Sequence, residues 1–546
     1  MKLIKRSPKP FIKLYSCFLL ALSACSGTHR NNNIFHYNES SGIATLDPAF
    51  AKSQSVMWAD HQLFNTLVET DDSLHIVPSL ARSWDVSADN LIFTFHLRGD
   101  VFFHDNPAFP GGKGRLMVAS DIVYSLNRIE DKSTASSGAW IFNEKVDTAN
   151  GFYALNDSTF QLKLLKPFHP ILGILSMQYC SVIPHEVVEK YGKDFRSHPC
   201  GTGPFRFVAW EEGQALILER NPSYFEKDSS GYSLPYLKGI KVSFYDSKAT
   251  EFLEFQQGRL DFINDIDVSF KDELLTKKGE LRKEWQGKII LEKHPYLNIE
   301  YLGILNDTLS ELVKNSPLKL KKIRQAISYG LDRRKMMLYI RNSIGTAAES
   351  GFVPIGIPSF DSAAVKGYHY DQLKALSLLK EAGYPNGDGL PQFKLLTIPQ
   401  YADLGSYISN QLQQIGISVQ VEVIQKSLLL EQTAKSQALF FRGSWIADYP
   451  DAENYLSLFY SKYPAPPNYT RFKDPAFDVL YEKALREEND SARSLLYQAA
   501  DRLIIDKSPV IPLWYDMLIR FYHPYVKNFI PNSLNLLELR RTRFQR

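Results

Sequence analysis

The chain has 546 residues, of which 44% are hydrophobic and 23% charged, with 34 Phe and 29 Tyr. At about 150 residues per domain this length suggests two to four domains, and the apolar fraction supplies a large core, which excludes intrinsic disorder. The formal charge of +3 originates at the N-terminus, where Lys2, Lys5, Arg6, Lys9 and Lys13 stand without an acid; the rest is slightly acidic and lacks the basic footprint that nucleic acid requires.

Those basic residues precede a short apolar run, Leu14 to Leu22, interrupted only by Ser16. A membrane span needs about 20 apolar residues, so residues 1–24 read as an export signal. The run ends in Leu22-Ser23-Ala24-Cys25, which resembles the bacterial lipobox, where a small-residue site is cleaved and the new N-terminal cysteine is acylated. Cys25 is the expected lipidation site and residues 25–33 a polar tether, so the mature chain is expected to be anchored to a bacterial membrane, facing the periplasm or the exterior. A simple cleavable signal with a chance cysteine is the alternative. Cys17 leaves with the signal and Cys25 takes lipid, so Cys180 and Cys200 remain. An even pair in an exported chain suggests a disulfide, worth about 3 kcal/mol for a loop of this size. Two reduced, buried thiols are the alternative.

In chain order, Leu91, Phe93, Phe95 and Leu97 alternate after the turn Ala88-Asp89-Asn90 and predict a half-buried strand. Gly111-Gly112-Lys113-Gly114 reads as a surface turn. Ile122, Leu126 and Ile129 predict a helix with Ser120 as its N-cap. Phe160, Leu162 and Leu164 predict a further strand. Gly201-Thr202-Gly203 invites a dinucleotide reading, but Pro204 and Phe205-Arg206-Phe207-Val208 continue as a strand where phosphate binding needs a helix. Helical spacing returns at Ile323, Ile327 and Leu331 and from Leu373 to Leu379, which Gly383 and Pro385 end. Val419, Val421 and Val423 predict a strand. The class is mixed α/β. Asp47-Pro48-Ala49-Phe50 recurs as Asp474-Pro475-Ala476-Phe477, too short to argue duplication. Metalloprotease, Cys-x-x-Cys, phosphate-loop and Gly-x-Ser-x-Gly patterns are absent, and the 12 His are scattered, so neither an enzyme nor a cofactor is expected.

Motif after motif resembles one family. Thr45-Leu46-Asp47-Pro48 and Leu63-Phe64-Asn65-Thr66-Leu67-Val68 are followed by Val77-Pro78-Ser79-Leu80-Ala81-Arg82-Ser83-Trp84 and Phe93-Thr94-Phe95-His96-Leu97-Arg98. Phe103-His104-Asp105, Ala119 to Ser125, Gly201 to Phe205, Ile323 to Tyr329 with Leu331-Asp332-Arg333, Leu378 to Pro385 and Trp445-Ile446-Ala447-Asp448-Tyr449 complete the series. In this order they are similar to the peptide-binding lipoproteins of ABC importers, solute-binding family 5. Three departures stand out. The loop Asn106–Gly114 is longer than the family's turn. Ile446 and the region of Asn298 replace the cysteines of a disulfide found in some members. Lys52 sits near a position that is acidic in some relatives.

The resemblance implies a two-lobed periplasmic-binding-protein clamp (type II, cluster C) with an extra domain. Lobe I is expected from 34–70, 196–295 and 501–546, the extra domain from 71–195, and lobe II from 296–500. It further implies a monomer that closes on an oligopeptide and delivers it to a membrane permease served by ATPase subunits. Asp448 is expected at the ligand's α-ammonium and Arg442 at the carboxylate of peptides of one length, with Trp445 walling a side-chain pocket. Ala51 to Ser55, including Ser53 and Gln54, is expected as an edge strand pairing with peptide backbone. The alternatives are a turn aspartate, a strand-end arginine and a core tryptophan. The same fold binding a nickel chelate, haem, a sugar or a cell-wall peptide is the competing function, and a lipoprotein hydrolase or sensor a more distant one.

Overall fold

Where apolar residues alternate, the computed structural model, which describes residues 33–147, 150–266 and 268–545, forms strands. Ile92–Leu97 buries Phe93, Phe95 and Leu97, and Thr159–Lys163 buries Phe160 and Leu162. The two pair antiparallel, flanked by Ala81–Val86 and Phe152–Asn156, in a four-stranded sheet. Helix Ala119–Glu130 buries Ile122, Leu126 and Ile129. Its cap differs from expectation: Ser120 already lies inside the helix, and the Asp121 carboxylate accepts from the Val118 N–H at 2.9 Å. Arg115 holds the same carboxylate at 2.7 Å, so a neutralised anion at the helix N-terminus displaces the serine hydroxyl from that part.

A second sheet joins distant stretches of chain. Ile34–Asn38 runs parallel to Gly239–Ser243, followed antiparallel by Ala215–Arg220 and Phe205–Glu211. The Gly201-Thr202-Gly203 segment is a close backbone crossing that leads into the last of these. The Gly203 N–H donates to Leu63 O at 2.9 Å, and a Cβ on Gly201 would fall 2.2 Å from the same oxygen. Only glycine lets these chains approach, which fixes the end of the helix Gln54–Leu63.

A seven-stranded sheet is built on two long antiparallel strands, Ile290–Ile304 and Val510–Tyr522. Phe440–Ile446 pairs with the first, and Phe393–Thr397 and Val419–Val423 extend the sheet in parallel. Asn298 and Ile446 are register partners across these two strands. The ends of the long strands lie in different cores. Ile519 and Phe521 pack with Phe252 and Phe255, whereas Leu302, Ile304, Ile511 and Leu513 pack with Ile323, Ile327, Leu379 and Leu412. In between, the register slips from Pro295 to Ile299, beside the expected lobe boundary at 295/296. The expected boundary at 500/501 lies inside the helix Asp490–Lys507. The end of that helix stays with the second core, where Arg324 donates to Lys507 O at 2.8 Å and Ser508 O at 2.9 Å. Arg333 is likewise buried and donates to the carbonyls of Pro512 and Ser328, so both arginines of the Ile323-to-Arg333 motif brace backbone.

The disulfide expected between Cys180 and Cys200 is not formed; both are free and buried. Each Sγ donates to a different backbone carbonyl at 3.4 Å, Cys180 to Ile174 O and Cys200 to His104 O. Burial pushes both thiols far above their ordinary range, which keeps them protonated. The signal, Cys25 and the tether up to residue 32 lie outside the described residues. Among the described residues no helix is long and apolar enough to cross a membrane.

Candidate functional site

Capping decides how the N-terminal segment reaches the site. Asp47 caps the short turn Pro48–Phe50 and is gripped by both Arg128 nitrogens at 2.8 and 2.6 Å. The chain then passes through Lys52 to Ser53, which is extended (φ −103°, ψ 153°) and stands at the N-cap of Gln54–Leu63. The edge strand expected over Ala51–Ser55 is therefore not formed, because Gln54 and Ser55 already belong to the helix.

Around this helix start, distant stretches of chain enclose a cavity of about 570 Å³. Lys52, Gln54 and Met57 come from the N-terminal segment, Trp140, Met177 and Tyr179 from the region of the first sheet, and Tyr296 from the register slip. Ile446 to Pro450 closes the far wall. The size suits a small organic ligand, and apolar and aromatic side chains dominate the lining. Among the described residues lining it, Lys52 and Asp448 alone carry charge.

Asp448 follows the strand Phe440–Ile446. Its carboxylate opens onto the cavity yet sits deep among protein atoms; that loss of water raises its pKa, and a hydrogen bond from Asn454 opposes the rise. Asn454 Nδ2 lies 3.4 Å from Asp448 Oδ2, while its Oδ1 accepts from the Asp448 N–H at 3.3 Å and from Trp445 Nε1–H at 2.8 Å. One amide thus orients the acid and the half-buried indole together. No neighbouring charge contributes to the shift of Asp448.

The structure brings together some of the expected residues and separates others. Asp448 and Gln54 line the cavity; Trp445 is not on its wall and is tied to Asp448 only through the shared amide of Asn454. Arg442 is not on its wall: it is ion-paired with buried Glu300 and lies 3.7 Å over the Tyr401 ring. Ser53 Oγ turns to Ser55 Oγ at 3.1 Å and faces a wider groove of about 1440 Å³. Lys52 and Ser137 line both spaces. Sequence reasoning missed Asn454, Tyr179 and Tyr296, which carry no local signal and are assembled only by the fold.

Comparison with known proteins bears on this arrangement. A family model described as bacterial extracellular solute-binding proteins, family 5 Middle, matches residues 75–466. Heme-binding protein A of Haemophilus influenzae is 26% identical over 520 residues, covering 92% of this chain and 90% of the relative. Periplasmic oligopeptide-binding protein OppA of Salmonella typhimurium is 26% identical over 518 residues, covering 90% of this chain and 89% of the relative. The solved structure of HbpA2 from Haemophilus parasuis aligns with a TM-score of 0.82 at 22% identity, covering 94% of this chain and 99% of that one. The fold is that of the two-lobed periplasmic binding proteins.

Proposed function

The chain belongs to the bacterial extracellular solute-binding proteins, family 5, and from that premise we propose that it captures short peptides for an ABC importer, with Asp448 receiving the ligand's α-ammonium. The observation that carries this reading is a carboxylate without a cationic partner, opening onto an apolar cavity. A charge-assisted hydrogen bond there replaces the water that the ammonium loses.

The two long strands supply the hinge. Contacts from both sides of the cavity select the closed state, and no covalent step is needed. Both sides already touch: beside Asp448 a Cβ built on Gly173 lies 3.5 Å from Tyr449, and at a separate point the His169 N–H donates to Leu485 O at 3.0 Å. The bound peptide then passes to a membrane permease driven by a separate ATPase, with the binding protein a monomer held at the membrane through Cys25. Cys25→Ser should release the protein from the membrane fraction; unchanged fractionation and acyl labelling would remove the anchor.

The test of the ligand is calorimetry on stripped protein. A hydrogen bond to a charged group contributes ~1.5–3 kcal/mol, so Asp448→Asn should weaken free peptides roughly 10- to 150-fold and leave N-acetylated ones nearly unaffected. Equal loss for both would make Asp448 structural. No binding of any peptide, together with a different solute identified by mass spectrometry of the purified protein, would move the function to haem, a nickel chelate, a sugar or a cell-wall peptide.

A further inference from the structure

Lys52 is the one charged group on the cavity wall without a part in this scheme. We infer that its ammonium receives the carboxylate of the shortest peptides the protein takes, making the cavity a two-charge clamp for compact zwitterions. The inference rests on the peptide reading of the cavity and goes beyond it by assigning the anionic end of the ligand.

Several observations converge on this residue. Among the described residues lining the cavity, Lys52 is the single base and Asp448 the single acid. A dipeptide, carrying one charge at each end, fits within about 570 Å³ and matches that pattern. Arg442, the other basic residue considered for a carboxylate, is already neutralised by Glu300 inside the second lobe. Lys52 is exposed, and the acids that share the adjoining groove with it are otherwise engaged: Asp47 by Arg128, and Asp131 by the Ser133 N–H and hydroxyl at 2.8 Å.

The backbone adds to the same sign of potential. Lys52 immediately precedes the N-cap of Gln54–Leu63, whose first turn has no side-chain cap and no acidic residue. The positive end of that helix dipole therefore reinforces Lys52 at the cavity wall, where Gln54 and Met57 of the same helix also stand. A lysine suits the part. Its ammonium is a point charge on a flexible stem and follows a carboxylate over several positions, unlike the rigid guanidinium fork.

Geometry also limits which peptides use it. Lys52 lines both the cavity and the wider groove in which Arg128, Lys193 and Arg196 stand. Each added residue extends a peptide by about 3.5 Å. With the α-ammonium held at Asp448, a longer chain carries its carboxylate past Lys52 into that groove. Dependence on Lys52 is thus a property of the shortest ligands.

The experiment uses stripped mature protein, a panel of dipeptides with varied side chains and a matching panel of tetrapeptides, each as free acid and C-terminal amide. Calorimetry on the wild type should show amidation weakening the dipeptides by about tenfold or more and the tetrapeptides less. Lys52→Met should bind dipeptide acids about as weakly as amides, and Lys52→Arg should keep most of the discrimination. Dipeptide acids and amides bound alike by the wild type, or discrimination that survives in Lys52→Met, would overturn the inference while leaving the peptide reading intact. Loss of acid and amide by an equal factor in Lys52→Met would also overturn it. A protein that binds no peptide of either length removes the inference and the peptide reading together.

Discussion

Replacing Arg442 with Met should lower folding stability by about 3–5 kcal/mol and leave the length preference for peptides unchanged, because the variant strands a buried carboxylate. Glu300 lies on the long strand Ile290–Ile304 with its side chain 2% exposed. Ser444 is its register partner, and Arg442, two residues along the same strand face, reaches it diagonally. Burial raises the Glu300 pKa, and Arg442 is the first of the groups that bring it back down. The hydroxyl of Tyr401 and the amide of Asn298 also donate to Glu300, each at 3.3 Å, but neither brings charge. Without the guanidinium, Glu300 must take up a proton at neutral pH, so the penalty should shrink as the solution is acidified. Adding Glu300→Gln to Arg442→Met should recover most of the loss, since the remaining polar group is neutral. Denaturant unfolding of the single and double variants measures this. An Arg442→Met protein of unchanged stability that loses affinity for one peptide length would return Arg442 to the ligand.

The same residue shows where sequence stops being informative. Arg442 and Asp448 are six positions apart and fall in one motif, which suggests one site; Glu300, which claims Arg442, is 142 residues away and has no signal linking the two. Local rules carry well. The alternation of Phe93, Phe95 and Leu97 and the spacing of Ile122, Leu126 and Ile129 become a strand and a helix because burying one face is a short-range property of the chain. Capping is legible in part. The Asp-Pro-Ala-Phe repeat marks two helical starts, with Asp47 accepting from the Ala49 N–H at 3.1 Å and Asp474 from the Ala476 N–H at 2.9 Å. That pattern already argues against a strand just after residue 50. Cysteine parity fails for a different reason: it counts thiols without placing them, and Cys180 and Cys200 satisfy themselves on separate carbonyls. The cavity walls are the least legible part. Tyr179 and Tyr296 converge on it from two distant regions, Asn454 acts only behind the wall on Asp448 and Trp445, and only the motif containing Asp448 announces that a cavity is there.

Asp501 should contribute a component of folding stability that falls as the pH rises from about 4 to about 7, and Asp501→Asn should remove that component. Asp501 lies on the helix Asp490–Lys507, is 3% exposed, and accepts from the N–H groups of Phe352 at 2.7 Å and Val353 at 3.2 Å. Those bonds favour the ionised form, but burial outweighs them and the carboxyl is pushed up to about 7. The carboxylate packs against Gly351, where an added Cβ would fall 1.9 Å from Oδ2, so only glycine leaves it this place. In the unfolded chain the group titrates near 4, so between these two values the folded state holds a proton that the unfolded state has lost. Stability from this group is complete below the lower value, declines through the window and is constant above the upper one. Three units correspond to about 4 kcal/mol at the outside. Asparagine keeps the shape and an acceptor for the Phe352 N–H, and its amide turned toward the Val353 N–H costs an amount that does not depend on pH. The difference in unfolding free energy between wild type and Asp501→Asn, measured from pH 4.5 to 8, isolates Asp501 from every other carboxylate. The wild type should be relatively more stable at the acidic end and lose that advantage by neutrality. A difference that stays level across the range would mean that Asp501 is ionised throughout, with its two backbone hydrogen bonds outweighing its burial.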